Sequence, residues 1–110
     1  MISLESLKVF SYVSCISKSL GLDPNDPLVI AEALIIAYRN KDPLDIFVVS
    51  DSEIKLKEYR EVNGNLCEPY LKVFSKYDRN SVIGLAKKLV LKHKVNDEEE
   101  KLLKEIESVK

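Results

Sequence analysis

One hundred and ten residues are enough for one domain with a real core, without metals or disulfide staples. Apolar residues make up 45% of the chain and charged residues 32%, so neither a disordered chain nor a membrane protein is the natural reading. The net charge of −1, from 17 basic and 18 acidic residues, excludes a histone-like polycation. The first 18 residues show no basic region followed by an apolar block, so a cytoplasmic protein is expected.

A first helix is predicted over about residues 4–20, with Ser3 as N-cap and Gly21 free to turn left-handed past the end. Val9, Tyr12, Val13, Ile16 and Leu20 share one face at helical spacing. The opposite face carries Ser3, Ser6, Ser14 and Ser17, with Leu7 and Phe10 among them. Small side chains permit close approach of another helix. That face is therefore read either as a wet surface or as a contact with a partner or a second copy.

The second helix has clear start signals. Asp26 is placed to cap it, and Pro27 occupies the first turn, where a missing N–H costs nothing. Residues 28–38 are apolar almost all round, with Glu32 and Arg39 on one narrow stripe. A helix apolar on every side must be covered on every side. It is expected at the centre of the fold, and so short a chain is expected to need a second copy to finish covering it.

Asp42-Pro43 repeats the start signal, so 44–49 reads as a short helix, but Ile46-Phe47-Val48-Val49 is equally good strand material. Residues 50–58 are open between a hairpin with Ile54 and Leu56 inward and a helix aligning Leu56, Tyr59 and Val62. The abundance of Lys and Glu tips the reading towards helix. Asn63-Gly64-Asn65 is a loop in either case.

Pro69 opens a helix with Tyr70, Val73, Phe74 and Tyr77 in a stripe. Asp78-Arg79-Asn80 reads as a break, and Ser81 as the cap of a helix bearing Val82, Leu85, Ala86, Leu89, Val90 and His93 on its apolar face. Asn96 and Glu99 have capping-box spacing, and Leu102, Leu103, Ile106 and Val109 line a final helix supported by Glu100 and Lys104 at i,i+4. The expected fold is an all-α single domain over 1–110: a compact bundle of five to seven short helices, with 46–58 as the one place for a small β-hairpin.

The case for an enzyme is weak. The glycines are scattered, so no phosphate loop is formed, and the single histidine, His93, reads as a partly buried helix-end residue. Cys15 and Cys67 make neither a disulfide framework nor a metal cluster and are expected as small buried side chains, with one bridge between them as the alternative. No cofactor or metal is expected. The absence of Gln, with charge carried mainly by Lys and Glu, is a thermophile tendency. The composition resembles that of small helical proteins from hot-spring archaea or their viruses.

Charge is unevenly distributed. Residues 69–95 carry seven basic groups (Lys72, Lys76, Arg79, Lys87, Lys88, Lys92 and Lys94) against the single acid Asp78, between acidic flanks. Such clustering is the footprint of phosphate-backbone binding. A helix-turn-helix over 81–107 is disfavoured, because its second helix would lead with Asp97, Glu98, Glu99 and Glu100. The bland alternative is a solvated lysine face partly neutralised by the acidic last helix.

The function expected from these patterns is a non-enzymatic helical protein–protein interaction module, a homodimer or a subunit of a larger assembly. Leu7, Phe10, Ser14, Ile35 and Tyr38 are its expected interface residues. The alternative is non-specific nucleic-acid binding through Lys72, Lys76, Lys87, Lys88, Lys92 and Lys94.

Overall fold

The computed structural model describes residues 13, 17, 21–23, 25–41, 44, 47–49, 54–56 and 68–109. In chain order these form α1 (Pro27–Arg39), β1 (Phe47–Val49), β2 (Ile54–Leu56), α2 (Glu68–Phe74), α3 (Arg79–Leu91) and α4 (Asp97–Glu107). The described residues are mostly helical, with four helices and one small antiparallel sheet, not five to seven helices. No helix among them is long and apolar enough to cross a membrane.

α1 starts as its sequence dictates. The Asp26 backbone is extended, its Oδ1 accepts the Leu28 N–H at 2.8 Å, and Pro27 fills the first turn. At the other end the Asn40 side-chain amide donates to the Ile36 carbonyl at 2.8 Å, and Lys41 turns left-handed at φ 59°. Every residue from 29 to 37 is buried. Among the described elements, α3 packs most extensively on this helix, and β2 and α4 cover further parts of it. Burying Val29, Ile30, Leu34, Ile35 and Ile36 contributes on the order of 10 kcal/mol before conformational entropy is set against it.

The central position of α1 is thus as expected, but the need for a second copy to cover it is not. One chain encloses it. The enclosure works because helices supply apolar stripes (Val82, Leu85 and Ala86 from α3; Leu102 and Ile106 from α4) while the hairpin adds Phe47 and Ile54.

The hairpin replaces the helix favoured for this stretch. β1 and β2 are antiparallel, with Phe47 opposite Leu56, Val48 opposite Lys55 and Val49 opposite Ile54. Phe47 and Ile54 are buried whereas Val48 and Lys55 are exposed, the alternation of a half-buried ribbon. β-branched and aromatic side chains decide β1, and Lys55 in β2 causes no conflict because its side chain faces outward. Residues 42, 43, 45, 46, 50–53 and 57–67, with the Asp42-Pro43 start signal and the Asn63–Asn65 loop, lie outside the described residues.

α2 buries Tyr70, Val73 and Phe74 but ends at Phe74, three residues before Tyr77. The break is therefore 75–78, and Arg79 and Asn80 already belong to α3. Asp78, not Ser81, is the N-cap residue, although its side chain makes no capping bond. α3 ends at Leu91, where Lys92 turns left-handed and the His93 N–H bonds to the Lys88 carbonyl at 2.8 Å. That turn carries His93 off the apolar face on which it was expected and leaves it exposed. α4 has the anticipated capping box: Asn96 accepts from the Glu99 N–H at 2.8 Å and the Glu99 side chain accepts from the Asn96 N–H at 2.9 Å.

Of the predicted first helix, Val13 and Ser17 are described; both are helical and buried. Ser17 Oγ donates to the Val13 carbonyl at 2.8 Å, so this serine decorates no wet surface. Gly21 takes φ +64° and the Leu22 N–H reaches the Ser17 carbonyl at 3.0 Å, the expected left-handed helix end.

Candidate functional site

The basic segment 69–95 folds against acids. Lys76 Nζ lies 3.2 Å from Glu105 Oε1, Arg79 Nη2 lies 3.0 Å from Asp26 Oδ1, and Lys88 Nζ lies 2.6 Å from Glu99 Oε1. Two of these carboxylates come from α4, the acidic helix that follows. The first two pairs are largely exposed and contribute little to stability. The third involves the buried Glu99 and is the firmer link. Lys87 is half-buried and is not free either. Lys72, Lys92 and Lys94 are exposed. The cluster seen in the sequence is real, but its charges are partly spent within the fold.

Tyr77 strengthens the same seam. Its hydroxyl donates to Glu105 Oε2. That hydrogen bond, with smaller contributions from burial and neighbouring carboxylates, pushes the Tyr77 phenol up to about 12. Reciprocally, the bond from Tyr77 and the one from Lys76 hold the Glu105 carboxyl below its ordinary value.

Of the expected interface residues Ile35 and Tyr38 are described, and Tyr38 alone of these two is exposed. Leu7, Phe10 and Ser14 lie outside the described residues, as do Cys15 and Cys67. Ile35 is 0% exposed, a member of the buried core, and offers nothing to a partner. Tyr38 is 40% exposed. It lines a concave surface of about 450 Å³ together with Arg39, Lys41 and Glu107. Arg39 is held there, since its Nη2 donates to the Val109 carbonyl near the end of α4.

A residue that sequence reasoning passed over is Glu32. It interrupts the apolar run of α1 and was expected on a polar stripe, yet it is 3% exposed. Its Oε2 has no hydrogen-bond partner. Burial, and secondarily the nearby Asp26 charge, raise its carboxyl to about 7. The signal was present as the one acid in an otherwise apolar helix; what the sequence lacked was the side on which α2 and α3 would lie. Among the described residues, no group of three His, Cys, Asp or Glu is arranged to hold a metal ion. No family model, curated protein or solved structure matches the chain.

Proposed function

We propose that this chain is a non-enzymatic protein–protein interaction module that pairs with a second copy of itself through the concave surface around Tyr38. The observation that carries this reading is the exposed Tyr38 ring set beside Arg39, Lys41 and Glu107. Tyrosine and arginine are enriched among the residues that dominate binding energy, because each offers large contact area and a polar end. The surface also carries both signs of charge. A two-fold contact apposes one patch with itself, so Glu107 of one copy can face Arg39 or Lys41 of the other. Pairing here serves recognition and does not complete the core, which one chain already closes.

Light scattering over a concentration series tests this. The expected mass rises towards twice the 12.5 kDa of one chain, and Tyr38→Glu returns it to the single-chain value. A wild-type protein that stays at one chain mass throughout overturns the pairing.

Non-specific nucleic-acid binding is the weaker reading. It is supported by the exposed Lys72, Lys92 and Lys94 on the basic segment, and it is weakened by the carboxylates already paired with Lys76 and Lys88. It requires a gel shift at about 50 mM salt whose salt slope falls in Lys92→Ala plus Lys94→Ala. No shift at that salt ends it.

A further inference from the structure

Between the first half of α1, the end of α2 and the start of α3 lies a second cleft, of about 280 Å³. Leu28, Leu71, Phe74 and Val82 give it apolar walls, and Glu32 lies on its lining. We propose that this cleft binds a small amphiphilic cation, an amine or amidine on an apolar or aromatic body, with Glu32 as its counter-ion.

The argument is one of unmatched groups. Every other polar side chain on the described lining has a partner. Ser75 Oγ donates to the Lys72 carbonyl at 2.8 Å, the Tyr77 hydroxyl donates to Glu105, and Arg79 is paired with Asp26 at 3.0 Å. Glu32 alone among them is left with a buried oxygen, Oε2, that accepts nothing. A buried carboxyl without a donor is costly, so its retention in a folded chain calls for a physical reason, and a bound donor is one. Among the described residues, the charges near it are Asp26 at the cap of α1, which disfavours a second carboxylate, and Arg79 at the start of α3, which is paired with Asp26; Tyr77, after α2, is the remaining titratable group of the described lining. Among the described lining residues, the charge left without a partner is therefore the carboxylate of Glu32. A ligand ammonium supplies both the missing charge and the missing N–H donor, and a charge-assisted bond of this kind is stronger than a neutral one. Apolar walls select the rest of the ligand, and the volume, just below the usual range for drug-sized molecules, restricts it to about one ring and a short chain.

Phenethylamine titrated into the full chain at pH 8, followed by amide shifts in two-dimensional NMR, tests the site. The expected result is a Kd on the order of 1 mM, with shifts centred on Glu32, Phe74 and Val82. Its neutral isostere 2-phenylethanol binds at least about tenfold more weakly. Glu32→Gln, which keeps shape and volume, brings the amine down to the level of the alcohol, and Leu71→Trp, which fills the cleft, removes both. Lowering the pH to 5.5, where Glu32 holds its proton and the amine keeps its charge, weakens the amine and leaves the alcohol unchanged. Equal binding of amine and alcohol, an undiminished amine affinity in Glu32→Gln, shifts centred elsewhere, or no binding at all overturns the proposal.

Discussion

Glu99 lies so close to Gly84 that a Cβ built on residue 84 would come within 2.7 Å of the Glu99 Oε2. The carboxylate cannot swing away cheaply. Its other oxygen accepts from Lys88 Nζ at 2.6 Å and from the Asn96 N–H at 2.9 Å. One buried acid thus closes the capping box of α4, pairs with a lysine of α3 and occupies the space a side chain on Gly84 would need.

Gly84→Ala is accordingly expected to destabilise the protein by about 1–2 kcal/mol in a urea titration, although alanine is the better helix former by about 1 kcal/mol. In a Glu99→Ala background the same change becomes neutral or stabilising, because the obstructing carboxylate is gone. The two residues then show a coupling above about 0.5 kcal/mol in a double-mutant cycle. Additive effects would mean that the close approach is not the cause.

The turn after α3 is expected to improve on substitution. Lys92 sits at φ 59°, where a side chain costs about 1 kcal/mol or more and glycine costs little. Lys92→Gly should raise the unfolding free energy in a urea titration by up to about 1 kcal/mol after the greater chain entropy of unfolded glycine is deducted. The gain should be confined to this change, since Lys92→Ala keeps the Cβ and gives no comparable increase.

How far the sequence foretold this depended on how local the deciding physics was. Asp26, Pro27, Asn96, Glu99 and Gly21 signal helix ends through bonds within a few residues of themselves, and the structure has each of those bonds or turns. The stripes of α2, α3 and α4 were legible for the same reason, except at their last members, since Tyr77, His93 and Val109 lie beyond the ends of those helices. The hairpin was harder, because whether 46–58 is helix or strand is decided by what its apolar face meets, and that partner is α1. The enclosure of α1 could not be judged from its own residues either, since it needs the shapes of α3, α4 and the ribbon together. Among candidate site residues, Ile35 was misjudged for this reason. The lysines of 69–95 were correctly seen as clustered, but their pairing with Glu99 and Glu105 rests on how α4 folds back.

The Tyr77–Glu105 bond makes a prediction about titration. Carbon-detected NMR should find Glu105 losing its proton below the ordinary carboxylate value and Tyr77 at about 12. Tyr77→Phe should move Glu105 back up, and Glu105→Gln should move Tyr77 back towards 10. Because Glu105 is depressed in the folded state, its contribution to stability is present above the ordinary carboxylate pKa and is lost as pH falls through the folded value. Unchanged titration in both variants would show that the hydroxyl and the carboxylate do not meet in solution.

Glu32 acts in the opposite direction. Its folded pKa of about 7 stands above the ordinary 4.5, so between those values the folded protein keeps a proton that the unfolded chain has released. Folding is favoured by this group in full below pH 4.5, and the advantage is lost progressively as pH rises to and through 7, for a total of about 3 kcal/mol. Urea midpoints of the wild type should therefore fall between pH 5 and 8 relative to those of Glu32→Gln, which cannot titrate there. Glu32→Leu should be the more stable protein at pH 8, because an apolar side chain removes the unpaired carboxylate from the interior. A saturating amine should narrow the gap between wild type and Glu32→Gln at pH 8 and not at pH 5, since it binds the ionised form. Parallel pH profiles for the wild type and Glu32→Gln would show instead that Glu32 reaches water in the folded protein, and that the strain attributed to its burial does not exist.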